Sequence, residues 1–207
     1  AVNTESKRTT GKKNPRQIKA KTVINEYGLI TAVINTYAPA LDCTVKLPQI
    51  EHNQHEISTP DVIYQIVKDT PIELPALLAM WLSLTESEIL GLTKSKSISS
   101  DGCYITIKEV IVKDEHNNAV VKNKGKQPTR DRTLRLPEYL KQLIDKVETD
   151  QLVTLSGTAL SKRFNRLITK AGIPHMTFHD LRHVNASVMA VLRIPDKYAQ
   201  ERGGWKT

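Results

Sequence analysis

Apolar and polar positions along the chain change period several times, and each change marks an element. From Lys19 to Tyr37 the residues Val23, Leu29, Ile30, Val33, Ile34 and Tyr37 fall mostly at helical steps, and Pro39 stops the pattern, which predicts one amphipathic helix. A lone amphipathic helix cannot bury its own face, so this one is expected to pack on something else. Pro39, Pro48 and the polar run Glu51-His52-Asn53-Gln54-His55 read as a linker. Thr59-Pro60-Asp61 then opens a second helix, with Thr59 as N-cap and Pro60 at the first helical position, running to about Lys68. Leu74 to Leu84 is almost continuously apolar and predicts a buried core helix, followed by a short one from Glu86 to Leu92. At Gly102 the period becomes two: Tyr104, Thr106 and Lys108 alternate with Ile105 and Ile107. A second run, Ala119 to Lys122, returns across the polar turn Asp114 to Asn118, and Arg132 to Leu136 supplies a third strand of one small antiparallel sheet. Pro137 opens a helix to Val147, and Thr158 to Ala171 forms another that ends at Gly172. Leu181, Val184, Val188, Val191 and Leu192 recur at helical intervals as the buried stripe of a further helix, and Asp196 to Arg202 forms the last. The fold class is α+β and mainly α.

Composition narrows the class of partner. The 207 residues suffice for one well-cored domain plus a fragment or small second domain, and 39% hydrophobic with 25% charged residues is ordinary for a soluble protein. No apolar run reaches the length of a membrane span, so no membrane partner is expected. Two cysteines, Cys43 and Cys103, make no disulfide framework and lack the companions of a zinc site, which points to a reducing, cytoplasmic setting. The net charge of +8 favours a polyanion. It is concentrated in two blocks: Lys7, Arg8, Lys12, Lys13, Arg16, Lys19 and Lys21, then Lys122, Lys124, Lys126, Arg130, Arg132 and Arg135. A solvated basic tail accounts for the first block about as well as nucleic-acid contact does.

The stretch richest in chemistry is Thr177-Phe178-His179-Asp180-Leu181-Arg182-His183, followed by Gly203-Gly204-Trp205. On a helix, His179 and Arg182 project from one face and can converge on a phosphate-sized anion, although any amphipathic helix can carry such a pair on its wet side. The order His179-Asp180-Leu181-Arg182-His183, then Ala186-Ser187 and Gly204-Trp205, resembles the tyrosine recombinases, and among them the phage and transposon integrases.

That resemblance implies a helical catalytic domain of the DNA breaking-rejoining kind with a small antiparallel sheet. It also implies metal- and cofactor-free cleavage of DNA by a tyrosine hydroxyl. Residues 1–42 would be the C-terminal part of a helical core-DNA-binding domain, 43–57 a linker and 58–207 the catalytic domain. Arg182 matches the family's second arginine, His179 the first histidine-type position and Trp205 the later His/Trp position. Lys126, followed by Thr129, Arg132 and Leu136-Pro137, resembles the hairpin lysine, with Lys122 and Lys124 close rivals. The first arginine is expected in the segment Ser83-Leu84-Thr85-Glu86-Ser87-Glu88-Ile89, where Thr85 stands at its position and Glu88 at the acidic one. The nucleophilic Tyr is expected beyond Thr207, and Tyr198, on the wrong side of Trp205, is read as a packing residue. Lys122, Lys124, Arg130, Arg132, Lys162 and Arg163 are the expected DNA contacts. The partner implied is double-stranded DNA, bound by a tetramer of protomers that are monomers without it, and the protein is expected to be cytoplasmic and bacterial or phage-encoded.

Two other readings compete. A DNA-binding module without activity explains the charge, Thr85 and the missing Tyr. A metalloenzyme could be built on His175, His179 and His183, but Pro174 sets His175 near the helix start and no acidic third ligand is evident.

Overall fold

The computed structural model describes residues 18–50, 56–123 and 132–205, and the chain divides into two units, residues 1–55 and 56–207. In the first unit, α1 (Ala20–Tyr37) buries none of its residues, and the apolar Leu29, Ile30, Val33 and Tyr37 are exposed. The Tyr27 hydroxyl donates to the Cys43 carbonyl at 2.6 Å, tying the chain after the helix back onto it.

The second unit is mainly helical and is built around α3 (Glu73–Leu82). Leu74, Ala76, Leu77, Leu78, Ala79, Met80 and Leu82 are all buried, as the continuous apolar run predicts. Each large side chain so buried contributes about 1.5–3 kcal/mol relative to exposure. Against α3 pack α2 (Pro60–Val67), α6 (Glu138–Asp145) and α8 (Asp180–Val191), and α7 (Gly157–Ala171) packs on α2. Thr59 occupies the N-cap position of α2, but its side chain makes no capping bond. Ser156 does cap α7, accepting from the Ala159 amide at 3.2 Å, and Leu160, Phe164 and Ile168 form its buried stripe. Phe164 meets Phe178 edge to face with ring centroids 5.7 Å apart, which seats the start of α8 against the core. Asn185 then locks α8 to the end of α3, its Nδ2 donating to the carbonyls of Met80 (2.8 Å) and Trp81 (3.2 Å).

Two expectations need correction. The strand segments form two antiparallel pairs, not one sheet: β1 (Tyr104–Ile107) with β4 (Arg132–Arg135), and β2 (Glu109–Lys113) with β3 (Ala119–Asn123). The break falls at Lys108, where the alternating run leaves β4 and takes up β3, so one continuous pattern serves two ladders. Gly91, after α4 (Glu86–Leu90), admits this arrangement, since a Cβ there would lie 2.5 Å from the Glu109 carbonyl oxygen. In α8 the buried side chains are Leu181, Arg182, Val184, Asn185 and Met189, whereas Val191 and Leu192 are 81% and 65% exposed. The inward stripe runs through two polar residues that a count of apolar positions passes over. A short helix unmarked in the sequence, α5 (Lys94–Ser97), joins α4 to β1, and α9 (Asp196–Gly203) follows α8.

Candidate active site

The C-terminus of α3, the N-terminus of α4, strand β4, helix α8 and the turn after α9 meet at one carboxylate. The geometry begins at Ser83, whose left-handed backbone (φ 56°) ends α3 and leaves its carbonyl turned away from the helix. Thr85 caps α4: its Oγ1 accepts from the Glu88 amide at 3.3 Å, while the Glu88 carboxylate accepts from the Thr85 amide at 2.8 Å. This reciprocal box fixes Glu88 beneath the turn.

Two guanidiniums close on that carboxylate. Arg132 from β4 grips it with both forks, Nη1 to Oε1 at 3.1 Å and Nη2 to Oε2 at 3.2 Å, and Nη2 also reaches the Ser83 carbonyl at 3.4 Å. Arg182 from α8 donates through Nη1 to the Ser83 carbonyl and through Nη2 to the Gly203 carbonyl at 2.9 Å, with Nη1 3.7 Å from Glu88 Oε2. Glu88, Arg182 and Arg132 are only 4%, 6% and 8% exposed, so these ionic groups lie out of bulk water. Trp205 covers them, its ring 5.6 Å from the Arg182 guanidinium carbon.

The Gly203-Gly204 step is a steric requirement of the same cluster. A Cβ at Gly203 would strike the Trp205 ring at 2.6 Å, and one at Gly204, where φ is +63°, would lie 2.8 Å from Arg132 Nη1. Arg132 is pinned by Glu88 and cannot readily give way.

His179 stands at the N-cap position of α8 and is exposed; its ring meets that of His183 edge to face at 5.6 Å. The turn before it is fixed by Asp180, whose carboxylate accepts from the amide (2.7 Å) and hydroxyl (2.8 Å) of Thr177. Partial burial first, then the positive Arg182 and the neighbouring His183, hold the His179 imidazole below the ordinary histidine value of 6.5, against an opposing pull from Asp180. His179 is therefore expected to titrate below 6.5 when followed by the chemical shift of its ring protons. A lowered value means that the folded chain binds fewer protons than the unfolded one, so this residue's contribution to stability is full above 6.5 and declines as pH falls below it. A midpoint at or above 6.5 would contradict the geometry.

The expected site residues divide as follows. Thr85, Glu88, Arg182 and Trp205 are brought together, and His179 lies at the start of the helix carrying Arg182. Lys122 on β3 and Lys162 and Arg163 on α7 are exposed, while Lys124, Lys126, Thr129 and Arg130 lie outside the described residues. Arg132 departs from the expectation of a surface DNA contact, for it is buried and held by Glu88. The signal was present in β4, where Arg132 shares the inward face with Leu134 while Thr133 and Arg135 point out. Tyr198, expected to pack, is 64% exposed and lines an open groove of about 1280 Å³ with Trp81, Met189, Leu192 and Ile194. Among the described residues no group of three His, Cys, Asp or Glu side chains is placed to hold a metal ion. No described helix is long and apolar enough to cross a membrane.

Comparison with known proteins bears on the whole arrangement. The Tn1549 transposon integrase in complex with transposon right-end DNA is similar, with a TM-score of 0.77 at 16% identity over 92% of this chain and 73% of that one. A lambda integrase dimer bound to a core-site DNA gives 0.60 at 17% identity over 92% and 77%, and the XerA recombinase 0.56 at 16% over 94% and 77%. At such identities the likeness shows the fold, that of the integrase catalytic domain. A search of curated proteins found no match. The model of the phage integrase family matches residues 84–207, the span that runs from the Thr85 turn to the Gly-Trp step, and on that match this chain belongs to the phage integrase family of tyrosine recombinases.

Proposed function

We propose that residues 58–207 form the DNA-cleaving domain of a site-specific recombinase, preceded by a linker at 43–57 and by the end of a core-DNA-binding domain. The observation that carries this reading is the buried cluster in which Arg132 and Arg182, the latter covered by Trp205, converge on Glu88 beside the Thr85 turn. A planar guanidinium there matches two nonbridging oxygens of a phosphate. In the reaction a tyrosine hydroxyl from beyond Thr207 gives up its proton to a base and forms a bond to the scissile phosphorus, and the bond to the 5′ oxygen breaks. That oxygen leaves with a proton supplied by an acid, the role assigned to Lys126. Arg182, with His179 and Trp205, stabilises the charge that develops on the pentacoordinate phosphorus oxygens. The working assembly is a tetramer on duplex DNA in the cytoplasm.

A second reading is favoured by one residue. Thr85 has no charge to offer a transition state, which suits a chain that binds DNA and does not cut it.

Duplex affinity is the first test. Exposed Lys122, Lys162 and Arg163 with the +8 net charge point to backbone contacts, so the dissociation constant should rise by roughly 10³-fold or more between about 50 and about 200 mM salt. Fluorescence anisotropy with a labelled duplex measures this, and a salt-insensitive affinity would sink the DNA reading. Covalent capture of a nicked suicide duplex by the protein carrying its downstream tyrosine then separates the enzyme from the inactive module.

A further inference from the structure

Helix α9 sits on the core with no apolar face to hold it there. Of its eight residues only Gly203 is buried, while Asp196, Lys197 and Tyr198 are exposed. The turn that ends it nevertheless carries two parts of the site: the Gly203 carbonyl, which accepts from Arg182 Nη2 at 2.9 Å, and the Trp205 ring over the same guanidinium. Arg202, in the last turn of α9, supplies a tether, its Nη2 donating to the Trp81 carbonyl at 2.9 Å near the end of α3. From this we infer that Arg202 is a positioning residue, which holds Gly203 and Trp205 in place on Arg182 by anchoring α9 to the end of α3.

The inference rests on the reading of the Arg182 cluster as the cleavage site, and it follows from how the turn is built. The Gly204 amide donates to the Glu201 carbonyl (3.2 Å) and the Trp205 amide to that of Gln200 (3.0 Å), so the backbone of Trp205 is bonded to the helix. The Trp205 ring packs so closely on Gly203 that a Cβ there would lie 2.6 Å away, which joins the side chain to the last turn as well. Wherever α9 settles, Trp205 follows. The anchor point is itself fixed, for the Trp81 carbonyl also accepts at 3.2 Å from the Nδ2 of Asn185, on the helix that carries Arg182. One carbonyl thus registers α8 and α9 together, and a shift of α9 alone would slide Trp205 across Arg182. A guanidinium suits this place, since it is a cation in the last turn of one helix bonded to a carbonyl at the C-terminal end of another, and both ends carry negative potential.

The test uses Trp205 as its own reporter. Trp81 and Trp205 are the two tryptophans of the chain, and Trp81→Phe removes the other signal while keeping the backbone carbonyl that Arg202 binds. In that background Arg202→Met, which keeps an apolar stem and loses the donors, is expected to shift Trp205 emission to longer wavelength and to raise its quenching by acrylamide, at temperatures below the melting transition. Arg202→Lys is expected to return both to the parental values, because the bond runs to one carbonyl and needs no bidentate fork. With the downstream tyrosine present, single-turnover cleavage of a suicide duplex should fall roughly 10²-fold in Arg202→Met, the effect of a misplacement of about 1 Å, while duplex affinity stays within about twofold and its salt slope is unchanged. Parental quenching of Trp205 in a folded Arg202→Met overturns the inference. That result with a lower melting temperature would mark a residue that only holds the fold, and with a salt slope lower by about 1 a residue that touches phosphate itself. A lysine variant as loosened as the methionine one also overturns it, as does a loosened Trp205 with parental cleavage. If Arg202→Met fails to fold, Arg202→Gln, whose amide is too short for the Trp81 carbonyl, takes its place with the same expected and refuting results. Should the parent leave the suicide duplex uncut, the recombinase reading falls, and the quenching of Trp205 still decides whether Arg202 places it.

Discussion

Glu88→Ala is expected to lower the unfolding free energy by about 3–5 kcal/mol, the range for removing one partner of a buried ion pair. Three losses combine. Arg132 gives up both charge-assisted bonds, Arg182 loses the carboxylate 3.7 Å away, and the Thr85 amide loses the acceptor that closed the capping box. The two cations then lie next to each other at 8% and 6% exposure, where water cannot replace what the carboxylate supplied. Surface pairs such as Lys96 with Glu109, 2.9 Å apart but with the lysine side chain 60% exposed, provide the contrast within the same fold. Breaking that one should cost about 0–1 kcal/mol. Urea unfolding followed by tryptophan emission, with an unchanged slope in denaturant, measures both. A loss below about 1 kcal/mol for Glu88→Ala would mean that the cluster relaxes outward to solvent and is not the fixed site described.

Much of the fold is legible along the chain, and its omissions share one cause. The apolar run of α3, the period-two stretch of β1, the Gly172 stop of α7 and the Pro60 start of α2 each rest on a local rule that reads directly from neighbouring residues. The division of the strands into two ladders depends on which partner lies across from each, and a single strand's alternation does not encode its partner. The site follows the same division. Arg182, Trp205, Glu88 and Thr85 were visible because they stand at motif spacings, whereas Arg132 was expected among the DNA contacts because it stands inside the basic block from Lys122 to Arg135. Its inward register on β4 contradicts that assignment, and only a buried carboxylate 44 residues away makes the inward register tolerable. Val191 and Leu192 show the converse. They continue the helical period of α8 but pass beyond the core that α3 and Asn185 define, and so emerge into solvent.

Thr85→Arg is expected to raise strand cleavage by about two to three orders of magnitude in a protein that also carries its downstream tyrosine, the usual value of one preorganised transition-state donor. The position is already poised for it. The Thr85 amide is one hydrogen bond from Glu88, and Glu88 is bound by the guanidinium of Arg132 and approached by that of Arg182, so an arginine there would join the same anion site. Some stability should be lost, since Thr85 Oγ1 caps the Glu88 amide and N-cap replacement costs typically about 1 kcal/mol. The two effects are separable: unfolding measures the cap, and single-turnover cleavage of a suicide duplex measures the cation. Even without the tyrosine, duplex affinity should rise with a salt slope steeper by about 1. Cleavage unchanged by Thr85→Arg but abolished by Arg182→Ala would show that residue 85 does not face the phosphate, and that another group completes the pocket around Arg182.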